Sequence, residues 1–185
     1  MALKIYFAGP NVFHPRANEM EIAISDHCAS RDVIALIPGD TGIDWSEPDQ
    51  KRIAQQIFEI NKNHIDQCDC VIANITPFRG ACIDDGTSWE IGYASALGKP
   101  VVTYGSGLEF TGDIIESVSG VTNQNVKPRR DRDGFLIEEF GFQSNLMIAC
   151  STIAHFHCSF DLYDDIVTAI SKPLDLLISH LVPTS

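Results

Sequence analysis

Cys70-Val71-Ile72-Ala73-Asn74-Ile75 is a short apolar run. A polar loop containing Pro77, Gly80 and Gly86 follows it, and then Thr87-Ser88-Trp89-Glu90-Ile91-Gly92-Tyr93-Ala94-Ser95-Ala96-Leu97, an eleven-residue stretch free of proline. The first run suits a strand buried on both faces, the last suits a helix, and Gly98 is its stop signal. Pro100 to Tyr104 is apolar again and reads as the next strand. A strand, a helix and a second strand in that order form the unit of a parallel sheet.

The same alternation extends outward in both directions. Residues 3–8 form an apolar run ended by Gly9-Pro10, and residues 33–38 form another ended by Pro38-Gly39. Between them Met20, Ile22, Ala23, Ile24 and Cys28 populate a stretch, 16–30, without Gly or Pro, which predicts a helix. From Pro48 to Cys68 the residues Ile53, Ile57, Ile60 and Ile65 recur at near-helical spacing. Residues 152–156 give a fifth strand and 161–181 a last helix, bent or broken near Pro173. Right-handed crossovers then predict an α/β domain with a doubly wound, five-stranded parallel sheet of flavodoxin-like order 2-1-3-4-5. Residues 1–185 read as one domain, with a flexible loop expected at 105–134, where the sequence is polar and lacks periodicity.

Composition excludes several classes. In 185 residues, 44% are apolar, which is enough to bury a core without disulfides or metal. Thirteen Lys and Arg against 25 Asp and Glu give a net charge of −12, and the one basic patch is the short stretch Lys127 to Arg132, so a nucleic-acid polymer is not an expected partner. No run of about 20 apolar residues suggests a membrane span, and the N-terminal residues lack the pattern of a secretion signal. A cytoplasmic, reduced protein is expected, with Cys28, Cys70 and Cys150 as buried thiols. His155-x-His157-Cys158 is the sole tempting metal pattern, but no second ligand pair stands at zinc-site spacing, so neither metal nor cofactor is expected.

In an open sheet of this order, ligands sit beyond the carboxyl ends of strands 1 and 3. Those ends are the loop opened by Gly9 and the loop from Thr76 to Gly86. The first offers Tyr6, Gly9 and Asn11, but it lacks G-x-G-x-x-G, which argues against a dinucleotide. The second leads to Glu90, placed in the first turn of a helix whose N-terminus favours an ionised carboxylate, with Asp84 six residues upstream. Such a pair can act as nucleophile and general acid. Thr87 and Glu90 also have the spacing of a capping box, in which Glu90 would only hold a backbone amide. Tyr6 could equally be a plain core residue, and Arg79 could contact a ligand or simply cap its loop.

Taken together, these segments resemble the nucleoside 2-deoxyribosyltransferases. The resemblance runs in order through Ile5 to Pro10, Cys68 to Asn74, Thr76-Pro77-Phe78-Arg79-Gly80, Asp84 to Ala94, Gly98 to Val101, and Glu139-Phe140-Gly141 with Ser144 to Met147. It implies Glu90 as nucleophile, Asp84 as the acid that assists the nucleobase, and Tyr6 as the residue that positions the nucleophile. It also implies an Asn145 that reaches the sugar in a neighbouring subunit's site, and with the loop readings above the candidate substrate contacts are Gly9, Asn11, Asn61, Arg79 and Gly86. Several members have Asp where this chain has Asn61. The implied activity moves a 2-deoxyribosyl group between bases through a covalent glutamyl intermediate, with 2′-deoxynucleosides and free nucleobases as partners and a homodimer or higher assembly. The competing readings are a 2′-deoxynucleoside 5′-monophosphate N-hydrolase and a non-catalytic nucleotide-binding module.

Overall fold

A computed structural model describes residues 2–39, 42–107, 109–122 and 127–181. Five strands, β1 (Leu3–Ala8), β2 (Val33–Leu36), β3 (Cys70–Asn74), β4 (Val101–Ser106) and β5 (Ala154–Cys158), form one parallel sheet of order β2-β1-β3-β4-β5. The helices are α1 (Ala17–Ala29), α2 (Gln50–Gln67), α3 (Asp85–Ala96), α4 (Thr111–Ser119), α5 (Leu146–Ala149) and α6 (Ile166–Leu181). The doubly wound fold expected from the sequence is therefore the fold observed.

Side chains alternate across a strand, and that alternation splits the core in two. Ile5, Phe7, Cys70 and Ile72 pack with Met20 and Ile24 of α1 and with Ile170, Leu174 and Leu177 of α6. Tyr6, Ala8, Val71 and Ala73 point the other way and pack with Ile65 of α2 and with Ile91 and Ala94 of α3. Tyr6 is thus directed at α3 by parity alone.

Four expectations are corrected. The last helix runs unbroken through Pro173, which lies on its buried face with Ile166, Ala169, Ile170, Leu174 and Leu177. Proline inside a helix costs about 3 kcal/mol, but full burial of each large apolar neighbour contributes roughly 1.5–3 kcal/mol, so packing wins. Cys150 is exposed rather than buried because it follows the short α5 at the surface, whereas Cys28 and Cys70 are buried as expected.

The stretch 105–134, expected as a flexible loop, contains the end of β4, all of α4 and the antiparallel bridge Val121–Asp131, and a second bridge joins Arg130 to Leu136 just beyond it. An apolar face of α4, with Ile114 buried, and a cluster of charges together organise it. Arg129 bonds Glu116 at 2.5 Å and Glu139 at 2.7 Å, tying α4 to the chain that follows. Positions 108 and 123–126 of that stretch lie outside the described residues. Finally, β5 begins at Ala154, so His155 and His157 share a face while Cys158 points into the core with α6. Burial pulls His155 down to about 4, and its Nδ1 pairs with Thr103 Oγ1 at 3.0 Å. Among the described residues no three His, Cys, Asp or Glu are placed to hold a metal ion, and no helix is long and apolar enough to cross a membrane.

Candidate active site

A cleft of about 290 Å³ opens beyond the carboxyl ends of β1 and β2. Gly9 and Phe13 line it from the loop after β1, Gly39 from the loop after β2, Asn61 from α2, and Asp84, Gly86 and Glu90 from the start of α3. Five residues expected at the site therefore converge on one cleft, although the sequence separates Gly9 from Glu90 by most of the first three βα units.

The local sequence explains the convergence. Gly9 has φ +148, and a Cβ there would stand 2.7 Å from Asn74 Cβ, so only glycine lets β1 turn away beside β3. A 3-10 turn, Pro10–Phe13, follows at once and carries Phe13 to the cleft. At α3 the N-cap is Asp84: its Oδ2 accepts from Thr87 N at 2.9 Å and from Thr87 Oγ1 at 3.0 Å. Gly86 leaves room for that carboxylate, because a Cβ would lie 3.1 Å from Asp84 Oδ2.

This cap corrects the expected capping box. The helix starts at Asp85, which places Glu90 in the second turn, beyond the reach of a reciprocal cap bond. The helix dipole fades over the same distance, so it does little to hold Glu90 ionised. Glu90 is instead 8% exposed and accepts a hydrogen bond from the Tyr6 hydroxyl at 2.6 Å. Burial pushes its carboxyl up to about 7; the Tyr6 bond opposes that rise and the charge of Asp84 adds to it. Tyr6 is fully buried, and burial first, then the charge of Glu90, holds its phenol far above the usual range. It is therefore a standing donor to Glu90, which makes Tyr6 a core residue bonded to a residue of the cleft.

Asn11, Arg79 and Asn145 do not line this cleft. Asn11 Oδ1 accepts from Asn74 Nδ2 at 2.6 Å and its Nδ2 donates to Tyr104 Oη at 3.3 Å, so both ends brace the loop from beneath. Arg79 does not line the cleft; its guanidinium stacks on Phe78 and Phe13. Asn145 caps α5, accepting from Met147 N at 3.0 Å, and its Nδ2 donates to Glu138 at 2.9 Å. It borders a second cavity, about 410 Å³, that also touches Asp85 and Ser88 of α3. Sequence reasoning missed Phe13, Gly39 and Ile57 as cleft residues. Ile57 stands one turn before Asn61 on α2, a signal the helical spacing already contained.

The family of nucleoside 2-deoxyribosyltransferases matches residues 5–147 of this chain. A solved structure described as a 2-desoxiribosyltransferase from Leishmania mexicana is 29% identical, with a TM-score of 0.62 over 94% of this chain and 97% of that one. A 2-deoxyribosyltransferase from Bacillus psychrosaccharolyticus shares the fold, with 20% identity and a TM-score of 0.53 over 89% of this chain and 90% of that one. An uncharacterized protein of Schizosaccharomyces pombe is 29% identical over 156 residues, 77% of this chain and 74% of its own. The match spans most of β1, the cleft, α3 and Asn145, and the chain belongs to the nucleoside 2-deoxyribosyltransferase family.

Proposed function

We propose that the protein exchanges nucleobases on 2′-deoxyribose by double displacement at Glu90. The observation that carries this reading is the 2.6 Å bond from Tyr6 Oη to Glu90 Oε1 at a cleft that also holds Asp84. The phenol engages one carboxylate oxygen of a side chain that lines the cleft, and so fixes that carboxylate in place. That a 2-desoxiribosyltransferase of Leishmania mexicana is 29% identical over nearly the whole chain supports the same activity here.

In the first step a Glu90 oxygen attacks C1′ as the C1′–N bond breaks. The bonding pair leaves with the base, to which Asp84 gives a proton when it is in its protonated form, and a deoxyribosyl ester of Glu90 remains. In the second step a nitrogen of another base attacks C1′ from the opposite face. The ester bond breaks, the carboxylate is regenerated, and the proton lost by the base returns to Asp84. Two inversions give net retention, as in retaining glycosidases. The transition state is oxocarbenium-like and a 2′-hydroxyl would withdraw electrons from it, which favours 2-deoxyribose. Asn61, Gly9 and Gly86 shape the space beside these groups. Water in place of the second base would release free sugar.

The assembly we infer is a dimer or higher homo-oligomer with shared sites. Asn145 faces the cavity beside Asp85 and Ser88, not the Glu90 cleft of its own chain. The Glu90 cleft it would serve is then a second copy's, the contact its counterpart makes by resemblance. Incubating the protein with deoxyinosine, with and without adenine, and separating the products by chromatography tests the reaction. Deoxyadenosine is the expected product; free 2-deoxyribose alone, at high adenine, would replace the transferase reading with a hydrolase.

A further inference from the structure

The loops after β1 and β3 meet in a stack of three side chains. The rings of Phe13 and Phe78 lie 5.4 Å apart and 17° from parallel. The guanidinium carbon of Arg79 lies 4.6 Å from the Phe78 ring centre and 5.4 Å from that of Phe13. Both distances are within cation–π range. Phe13 is the one aromatic side chain lining the Glu90 cleft among the described residues, and it is 58% exposed. Its own 3-10 turn buries only Pro10, so that turn does little to fix the ring.

Arg79 is committed to this stack. Among the described residues it has no carboxylate within 4.0 Å, although it is a cation in a strongly acidic chain. Its backbone sits at φ +54, a conformation that non-glycine side chains seldom adopt. Phe78 N donates to Cys82 O at 2.9 Å, which closes the neck of the loop that presents both residues.

We propose that Arg79 is a positioning residue that decides how the deoxyribosyl-Glu90 ester divides between base and water. The inference rests on the transferase reading and deepens it. Capture by a base requires a flat heterocycle to be held in the cleft, and an immobilised aromatic ring is the surface on which one stacks. Capture by water requires no such surface. In both outcomes the C1′–O bond to Glu90 breaks and the carboxylate is regenerated. With a base, a nitrogen bonds C1′ and loses its proton; with water, oxygen bonds C1′ and the released proton goes to solvent. A Phe13 ring released from Arg79 therefore weakens the first route more than the second.

The test compares the parent with Arg79→Ala, Arg79→Lys, Phe13→Ala and the Arg79→Ala/Phe13→Ala double variant, each with its melting temperature. Deoxyadenosine and free 2-deoxyribose are quantified from deoxyinosine at graded adenine concentrations. The ratio of transfer to hydrolysis should fall at least about fivefold in Arg79→Ala at subsaturating adenine, with a matching rise in the KM for adenine. Arg79→Lys, which keeps the charge and loses the planar stack, should fall between the two. The double variant should match Phe13→Ala. An unchanged ratio in folded Arg79→Ala, with both products falling together, would overturn the proposal, as would an Arg79 effect undiminished in the Phe13→Ala background. A parent that makes no deoxyadenosine at any adenine concentration would overturn the transferase reading and this inference with it.

Discussion

The Tyr6 hydroxyl donates to Glu90 Oε1 at 2.6 Å, joining the first strand to the third helix across 84 positions of sequence. Tyr6 is fully buried and Glu90 nearly so, which means the carboxylate is held away from water with a single strong donor opposing its protonation.

Replacing that donor should separate positioning from packing. Tyr6→Phe keeps the ring among Val71, Ile91 and Ala94 and removes only the hydroxyl. We expect a melting temperature within a few degrees of the parent and a kcat lowered by roughly 10–100-fold. The Tyr6 bond lowers the Glu90 pKa, so its loss should also move the acidic limb of kcat/KM to higher pH. A limb that stays in place would show that the Tyr6 bond does not tune the catalytic ionisation.

Burial of Glu90 makes stability depend on pH in a stated direction. Its carboxyl is pushed up to about 7 when folded, against the usual 4.5. Between those values the folded chain holds a proton that the unfolded chain has lost, so this group's contribution to stability is complete below about pH 4.5 and declines as pH rises toward 7. Glu90→Gln removes the penalty. It should melt several degrees above the parent at pH 8 and show a smaller gap at pH 5, while transfer falls at least roughly a thousandfold. Calorimetry at the two pH values checks it; an equal gap at both would show that Glu90 is not held protonated by the fold.

Asp84 has two duties that different substitutions divide. Asp84→Asn keeps an oxygen for the Thr87 amide, so stability should change by only a few tenths of a kcal/mol. Asp84→Ala loses the cap and should cost about 1 kcal/mol. If the carboxyl also moves a proton to the base, both variants should lose transfer by a similar factor, near 100-fold. Activity that tracks stability rather than the acid would reduce Asp84 to a cap.

Shared sites predict complementation. A heterodimer of Glu90→Ala and Asn145→Ala chains contains one site with both side chains intact and one with neither. Random mixing should therefore restore about a quarter of parent activity. No recovery in verified heterodimers would confine Asn145 to capping α5 and pairing with Glu138.

The sheet order, the five strands and the cleft at the carboxyl end of β1 were legible in the sequence because each depends on local pattern: apolar runs ended by Gly9-Pro10 or Pro38-Gly39, and helical spacing between them. Glu90, Asp84 and Tyr6 were legible as candidates through an ordered set of short segments, and the structure places Glu90 and Asp84 at one cleft with Tyr6 bonded to Glu90. Tertiary structure decided what those residues meet. Spacing alone offered Glu90 a capping box, and the folded chain gives that duty to Asp84 because α3 begins one turn earlier, at Asp85. Strand parity turns Tyr6 toward α3, and packing then brings its hydroxyl to Glu90, a contact between distant segments that no local spacing encodes. The same holds for Arg79, whose local sequence left it between ligand contact and loop cap, and for the stretch 105–134, where ion pairs around Arg129 tie α4 to the chain that follows it. Local pattern writes periodic burial into a sequence; a hydrogen bond or a stacked cation between remote loops depends on geometry that exists only once the sheet has formed.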